Sequence, residues 1–137
     1  MADTMQFDLV SPERKLASVA ATEVRIPGAD GDFTAMPGHA SFLSTLRPGI
    51  VVAKSSEGEL RFVVTGGFAE VSADGVSLLA ERSLPAAELT QSVYDGLVAD
   101  ARKAVEAAQP DARDEAQKLV ADLLGIAADV GLNPPQL

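Results

Sequence analysis

Residues 5–82 alternate between apolar and polar positions with a period of two, which is typical of half-buried β-strands. The alternation is clearest in MQFDLV (5–10), TEVRI (22–26), LRFVV (60–64), GFAEVSA (67–73) and GVSLLAE (75–81). Pairs of turn-forming residues interrupt the runs at about ten-residue spacing, as in sandwiches and barrels. The pattern therefore predicts an N-terminal all-β sandwich domain over residues 1–84.

Two glycine-containing pairs in this region predict particular backbone geometry. Asp74-Gly75 lies between two alternating runs, which favours a tight hairpin whose central residues have positive φ. Gly66-Gly67 predicts a bulge or a close approach between two backbones, because a side chain there has no room.

After Pro85 the apolar residues recur every three or four positions, which is typical of helices. The first predicted apolar stripe is Leu89, Val93, Leu97, Ala101, Ala104 and Ala108. The second is Ala112, Ala116, Leu119, Leu123, Ile126 and Val130. We expect Asp111 to cap the second helix, Gly131 to end it, and Pro134-Pro135 to prevent its continuation. Residues 85–137 are thus predicted to form an antiparallel two-helix hairpin domain.

Charge and composition exclude several classes of function. The formal net charge of −9 argues against nucleic acid partners and anionic membrane surfaces, since both require a surplus of Lys and Arg. The chain has no cysteine, which excludes disulfides and thiolate metal sites. No apolar run approaches the roughly 20 residues of a membrane span, and the first residues lack the pattern of a signal peptide. We expect a cytosolic protein or a peripheral subunit.

Candidate catalytic chemistry is confined to His39, the single histidine, and the nearby carboxylates Asp30 and Asp32. A loop histidine acts as a general base when a nucleophile or carboxylate is oriented beside it, but no triad spacing is present. GADGDF (28–33) is first of all turn chemistry and lacks the glutamate of a calcium loop. Phosphate-loop, dinucleotide and nucleophile-elbow motifs are also missing. We expect no metal, no cofactor and no catalysis. The alternative hypothesis is an enzyme that uses His39 with Asp30 or Asp32.

The positive signal lies in AMPGHASFLSTLRPG (35–49), which is rich in turn formers yet apolar at four positions. These positions are Met36, Phe42, Leu43 and Leu46. Apolar residues held by a rigid scaffold at a loop are typical of contacts with another chain. The stretch therefore predicts a docking loop.

Three stretches of the sequence resemble the epsilon subunit family of bacterial F-type ATP synthases, whose mitochondrial counterpart is called delta. They are FDLVSPERKL (7–16), VRIPGADGDFTAMPGHASFLSTLRPGIV (24–51) and VTGGFAEVSADGVSLLAE (64–81). Together they cover nearly all of residues 5–84 in the right order. The resemblance implies a β-sandwich, a helical hairpin and no catalysis of its own. It also implies a place in the central stalk, where the subunit couples proton translocation to ATP synthesis.

The resemblance also implies contact residues and a location. The gamma subunit would be met by Met36, Pro37, Gly38, His39 and Phe42. The polar loops of the c-ring would be met by Gly28, Ala29, Asp30, Gly31 and Asp32. The subunit would be peripheral on the cytoplasmic face of the bacterial inner membrane. A contact of the helical hairpin with the catalytic alpha and beta subunits stays open.

The helical hairpin departs from the family pattern in two respects. Many members begin the first helix with Leu-Asp-x-x-Arg-Ala, a pattern linked to ATP binding, whereas this chain has Thr90 and Val93 at the Asp and Arg positions. Residues 111–130 contain two basic and five acidic side chains, unlike the basic second helix of inhibitory members. We therefore expect no nucleotide binding, weak inhibition of hydrolysis and a compact hairpin. The alternative function is a free-standing β-sandwich protein-binding module with a helical tail.

Overall fold

The computed structural model describes residues 4–133, in two compact units that divide after Ala86. The first unit contains ten strands: β1 Met5–Val10, β2 Lys15–Ala21, β3 Glu23–Gly28, β4 Gly31–Ala35, β5 Phe42–Leu46, β6 Gly49–Ser55, β7 Gly58–Val64, β8 Gly67–Val71, β9 Gly75–Ala80 and β10 Ser83–Pro85. The second contains two helices, α1 Gln91–Ala107 and α2 Arg113–Val130. No helix within residues 4–133 is long and apolar enough to cross a membrane.

The ten strands form a β-sandwich from one continuous sheet. Its order is β10-β7-β6-β3-β5-β8-β9-β1-β2, with β4 paired to β3 beside this path. All neighbouring pairs are antiparallel except β1 and β9, which are parallel. The pairing of β3 with β5 consists of Gly28 and Leu46 in the described residues. The sheet therefore divides at this pair into two five-stranded halves, which confirms the predicted fold class.

Aliphatic side chains dominate the core of the sandwich. Phe7 and Leu9 on β1 and Leu78 on β9 are fully buried, as the alternating pattern predicts. Phe7 and Phe62 are the aromatic members of this cluster, and their ring centroids are 6.4 Å apart. The remaining core volume is filled by Val, Leu, Ile and Ala, so close packing of small branched side chains stabilises the unit.

One strand lies where the sequence predicts a loop. Phe42–Leu46 forms β5, although only Leu46 is buried, while Phe42 and Leu43 are 40% and 69% exposed. A strand with exposed apolar residues on both faces shows no clear period of two, which explains why the pattern did not predict it.

The glycine predictions were half correct. The β8–β9 hairpin is present, but Ser72 N–H donates to Gly75 O at 2.9 Å, so the turn residues are Ala73 and Asp74. Neither has positive φ, so the predicted turn geometry was wrong. Gly75 is needed for another reason, because a Cβ there would lie 2.5 Å from Gln6 O on β1. A Cβ on Gly67 would overlap the Leu79 carbonyl oxygen, which confirms the predicted close approach.

The helical unit confirms the hairpin and corrects its apolar stripe. On α1 the fully buried residues are Tyr94 and Val98, whereas Val93 is 43% exposed. Tyr94 O–H donates to Leu123 O of α2 at 2.8 Å, so the tyrosine occupies the position between the helices. A buried tyrosine requires such a partner, and apolar periodicity does not reveal it. On α2, Leu119 is also exposed, at 41%.

The ends of α2 show one wrong and one confirmed prediction. Asp111 does not cap the helix, because it lies in a short 3₁₀ turn, Pro110–Ala112, and α2 begins at Arg113 without a side-chain cap. Gly131 ends the helix in the left-handed conformation at φ 74°. Pro134 and Pro135 lie outside the described residues.

Candidate functional site

The five residues predicted to face the c-ring lie together at the tip of the β3–β4 hairpin. Gly28 pairs with Gly31, which leaves Ala29 and Asp30 as the two turn residues, and Asp32 follows on β4. Gly31 has φ 137°, which favours glycine, and a Cβ on Gly28 would lie 2.7 Å from Gly31 O. The sequence folds this tip tightly because only glycine fits at both flanks of the turn.

Arg47 holds this tip from the neighbouring β5–β6 connection. Its guanidinium forms an ion pair with the Asp32 carboxylate, and its Nε donates to Gly28 O at 3.1 Å. Arg25 lies on the other side of the same carboxylate, with Nη2 3.4 Å from Asp32 Oδ2. Asp30 is exposed and makes no hydrogen bond or ion pair with the described residues. The two aspartates therefore have different surroundings.

Four of the five predicted gamma-facing residues lie in the loop between β4 and β5, and the fifth, Phe42, begins β5. Gly38 has φ 82°, and its N–H donates to Ala73 O at 3.1 Å. His39 N–H donates to Met36 O at 3.0 Å, which closes a turn. Met36 is 51% exposed at the start of this loop. The loop is thus ordered by one backbone hydrogen bond of its own and one to the β8–β9 turn, and it presents an apolar side chain to solvent.

His39 contacts its own loop. Its Nδ1 lies 2.7 Å from Ala40 O, and its ring centroid is 5.9 Å from that of Phe42. The ring of Phe42 packs in turn on Phe33, at 4.8 Å. Asp32 is paired with two arginines. These contacts place the histidine in a packing role and do not assemble a general base with an oriented carboxylate.

An apolar surface lies beside this loop, and Leu43 is the one member of it that the sequence had indicated. Leu43 on β5, Phe68 on β8 and Leu79 on β9 are 69%, 53% and 58% exposed. Phe68 and Leu79 are direct cross-strand partners, and a shallow groove of about 340 Å³ runs past them and Val10. We call Leu43, Phe68 and Leu79 the apolar patch. The adjacent pair Leu78-Leu79 breaks the alternation, and this break was the available signal.

The row that adjoins Phe68 and Leu79 on the same sheet face contains Leu43 and two carboxylates. Glu70 and Asp8 both lie opposite Ser77, one on each side of β9. Hydrogen bonds from Ser18 and Gln6 lower the pKa of Asp8 below its ordinary value, with a smaller contribution from Lys15. The apolar patch is therefore bordered by the side chains of Asp8 and Glu70.

The outer face of the half-sheet that contains β3, β6 and β7 carries ion pairs. Ion pairs there join Lys54 to Glu23 at 3.8 Å and Arg61 to Glu59 at 3.1 Å. Exposed pairs of this kind contribute little to stability and keep a sheet face hydrated. The contrast identifies the apolar patch as the face suited to protein contact.

The described residues hold no cluster of three or more His, Asp or Glu side chains that could bind a metal. At the nucleotide-linked positions of the family, Thr90 caps α1, and its Oγ1 accepts from Val93 N–H at 3.2 Å. Val93 points to solvent, and the buried Tyr94 follows it. The hydroxyl and aliphatic groups at these positions offer no charged ligand to a phosphate.

Comparison with known proteins finds relatives that match nearly the whole chain. The family described as ATP synthase, Delta/Epsilon chain, beta-sandwich domain matches residues 4–86. The ATP synthase epsilon chain of Rhodobacter capsulatus is 55% identical over 132 residues, covering 96% of this chain and 100% of that protein. The ATP synthase epsilon chain of Paracoccus denitrificans is 55% identical over 141 residues, covering 98% and 95%.

A solved structure of the Euglena gracilis mitochondrial ATP synthase, comprising OSCP, F1 and c-ring, contains a chain of similar fold. The TM-score is 0.72 at 18% sequence identity, over 95% of this chain and 83% of that chain. The fold is therefore retained at a sequence identity where few side chains are shared.

Proposed function

This chain belongs to the ATP synthase delta/epsilon family, and on that premise we propose that it is a non-catalytic central-stalk subunit of a proton-translocating F-type ATP synthase. The observation that carries the proposal is the 55% identity to an ATP synthase epsilon chain over 96% of this chain and the whole of that protein. The same coverage disfavours the free-standing binding module.

We further propose that the gamma subunit binds the β4–β5 loop together with the apolar patch. The predicted residues Met36, Pro37, Gly38 and His39 form the loop part, and the predicted Phe42 adjoins them at the start of β5. Leu43 continues β5 from Phe42, and β5 pairs with β8, so the loop and the patch lie on neighbouring strands. The three side chains of the apolar patch are 53–69% exposed on adjacent strands, which supports burial by a partner.

The c-ring contact is assigned to the β3–β4 tip, residues 28–32. Its support is the exposed, tightly folded turn with an acidic residue at its apex, a shape suited to docking against a short polar loop. The subunit would then be peripheral on the cytoplasmic face of the inner membrane, held there by the c-ring and gamma.

Regulation by the helical hairpin is proposed to be weak. The acidic balance of α2 opposes insertion beside acidic catalytic subunits. Contacts within the hairpin also support a closed state without a ligand. Gln91 Nε2 donates to Asn133 O at 2.8 Å, and Asn133 N–H donates to Gln91 Oε1 at 3.0 Å. Tyr94 closes the same pair of helices at Leu123.

Reconstitution tests the proposal. Cognate membranes stripped of this subunit receive the full-length protein, and ATP-driven proton pumping is measured together with ATP hydrolysis. We expect the wild-type protein to restore pumping per ATP hydrolysed. Failure of folded wild-type protein to do so, or to co-purify with gamma, would contradict the stalk assignment.

A Leu79→Gln variant tests the gamma-binding face. Removing a half-exposed leucine from a buried contact should weaken gamma binding about tenfold, given about 1.5 kcal/mol or more for a buried apolar side chain. Val93→Gln, at a similarly exposed apolar site on α1, is the matched control and should bind gamma normally. Titration calorimetry with purified gamma measures both variants. Equal affinity for wild type and Leu79→Gln would remove the apolar patch from the interface.

A further inference from the structure

We infer that the two aspartates of the β3–β4 tip have separate roles: Asp30 contacts the partner, and Asp32 is a positioning residue that acts through Arg47. The inference rests on the proposed function, because the partner of the tip is taken to be a polar loop of the c-ring. The inference gives Asp30 and Asp32 different roles, which their close spacing in the sequence does not suggest.

The first support is the set of contacts made by Arg47. One guanidinium joins the Asp32 carboxylate to the carbonyl of Gly28, the residues on either side of the turn. Arginine suits this task because its planar fork donates in two directions from a fixed geometry. Loss of either contact removes one side-chain anchor of the turn.

The second support is the backbone connection around the same arginine. Arg47 N–H donates to Pro27 O at 3.0 Å, and Ala29 N–H donates to Thr45 O at 2.9 Å. Arg47 also directly follows Leu46, whose pairing with Gly28 joins the two halves of the sheet. The tip is therefore anchored to the corner where the sheet passes from one half to the other, and its shape is set before a partner arrives.

The third support is the charge balance. Asp32 has two cationic neighbours, Arg47 and Arg25, and the side chains of Asp32 and Arg47 are only 39% and 29% exposed. A basic partner would have to compete with both arginines for that carboxylate. Asp30 has no such competitor among the described residues, and it is exposed at the apex. The group that fits the tip is therefore a single cationic or amide donor placed over Asp30.

Amide hydrogen exchange separates the two roles in the full-length protein. Arg47→Gln and Asp32→Asn should each accelerate exchange at residues 29–32 by about tenfold, because one anchor of the turn is lost. Asp30→Asn should leave exchange there unchanged. If Asp32→Asn does not alter exchange, Asp32 is not a positioning residue and the inference fails.

Reconstitution then tests the consequence for function. The readout is the protein concentration that half-restores proton pumping in stripped membranes. Asp30→Asn should raise it about threefold, the range of an exposed ion pair, and the effect should shrink at high salt. Asp32→Asn and Arg47→Gln should each raise it, and the double variant should be no worse than the worse single variant. Combining Asp30→Asn with Arg47→Gln should multiply their effects.

Matched controls are available on the same domain. Glu57→Gln removes a carboxylate from the β6–β7 turn, and Arg61→Gln removes an exposed ion pair with Glu59. Neither should change exchange at the tip or the half-restoring concentration. If Arg47→Gln fails to fold, Asp32→Asn removes the same ion pair with an isosteric amide and decides the positioning role.

The outcomes also distinguish this inference from the proposed function. Wild-type protein that fails to restore pumping would overturn the stalk assignment, while the exchange data would still decide the role of Asp32. The inference would be overturned by a different result in membranes where wild-type protein does restore pumping. In that result Asp32→Asn and Asp30→Asn raise the half-restoring concentration equally, and each multiplies the effect of Arg47→Gln. Both aspartates would then be direct contacts.

Discussion

At the scale of single residues, Tyr94 shows how one side chain can close a helical hairpin. It is the only tyrosine in the chain, it is fully buried, and it donates to Leu123 O. Burial raises the pKa of its phenol, and the nearby Asp95 raises it further. The neutral phenol is therefore the form that the folded hairpin favours.

Replacement of Tyr94 by Phe keeps the ring and removes the hydrogen bond. We expect the hairpin to lose about 1 kcal/mol of unfolding free energy at neutral pH. Because the pKa of the phenol in the folded protein is raised above its ordinary value of about 10, the wild-type stabilisation is complete below about pH 10 and falls as the pH rises further. The Phe variant should lack this decline.

Thermal unfolding followed by circular dichroism at 222 nm from pH 8 to 11.5 measures both effects. The phenol absorbance of the single tyrosine provides an independent titration. A variant as stable as wild type, with an unchanged alkaline decline, would show that the hydroxyl contributes nothing to hairpin closure.

At the scale of elements, the two helices each contain a glycine that packing does not require. A Cβ at Gly96 of α1 or Gly125 of α2 would meet no atom within 4 Å. Glycine in a helix interior costs conformational entropy relative to alanine. The hairpin is thus less stable than its own fold permits.

Gly96→Ala and Gly125→Ala should each raise the unfolding free energy of the hairpin by about 0.5–1 kcal/mol. Gly131→Ala is the opposing control, because φ at that position is 74° and alanine should destabilise the helix end. Urea unfolding measured by circular dichroism compares the three variants. Destabilisation by Gly96→Ala or Gly125→Ala would indicate that a side chain at that site disturbs packing within the hairpin.

At the scale of the whole molecule, the chain is two compact units with separate cores. The sandwich buries its own aliphatic cluster, and the hairpin closes on Tyr94, Leu123 and Ile126. The proposed contacts with gamma and the c-ring are all on the first unit.

We therefore expect residues 1–86 to fold alone and to restore coupling in stripped membranes as well as the full chain. ATP hydrolysis should be the same with either form, because the acidic hairpin is proposed to be a weak inhibitor. Proton pumping and hydrolysis measured in parallel provide the comparison. A several-fold rise in hydrolysis with the fragment would instead make the hairpin a strong inhibitor.

The hydrophobic pattern was sufficient to predict an all-β unit followed by a helical hairpin. Period-two alternation in segments such as residues 5–10 and three-to-four spacing after Pro85 reflect which side chains must leave water, and this requirement is local to each element. The tip and loop residues around Asp30 and His39 were also found in the sequence, because glycine and proline mark turns by their own backbone preferences.

Only the tertiary structure decided how those elements are used. The exposed apolar patch of Leu43, Phe68 and Leu79 exists because strands distant in the chain are neighbours in the sheet. Tyr94, and not the predicted Val93, lies between the helices, because its hydroxyl reaches a carbonyl on the other helix. The difference between Asp30 and Asp32 likewise depends on Arg47, fifteen residues beyond Asp32. The sequence by itself determined what each segment becomes, since solvation and backbone preference act locally, whereas the pairing of charges and the exposed surfaces depend on contacts that only folding creates.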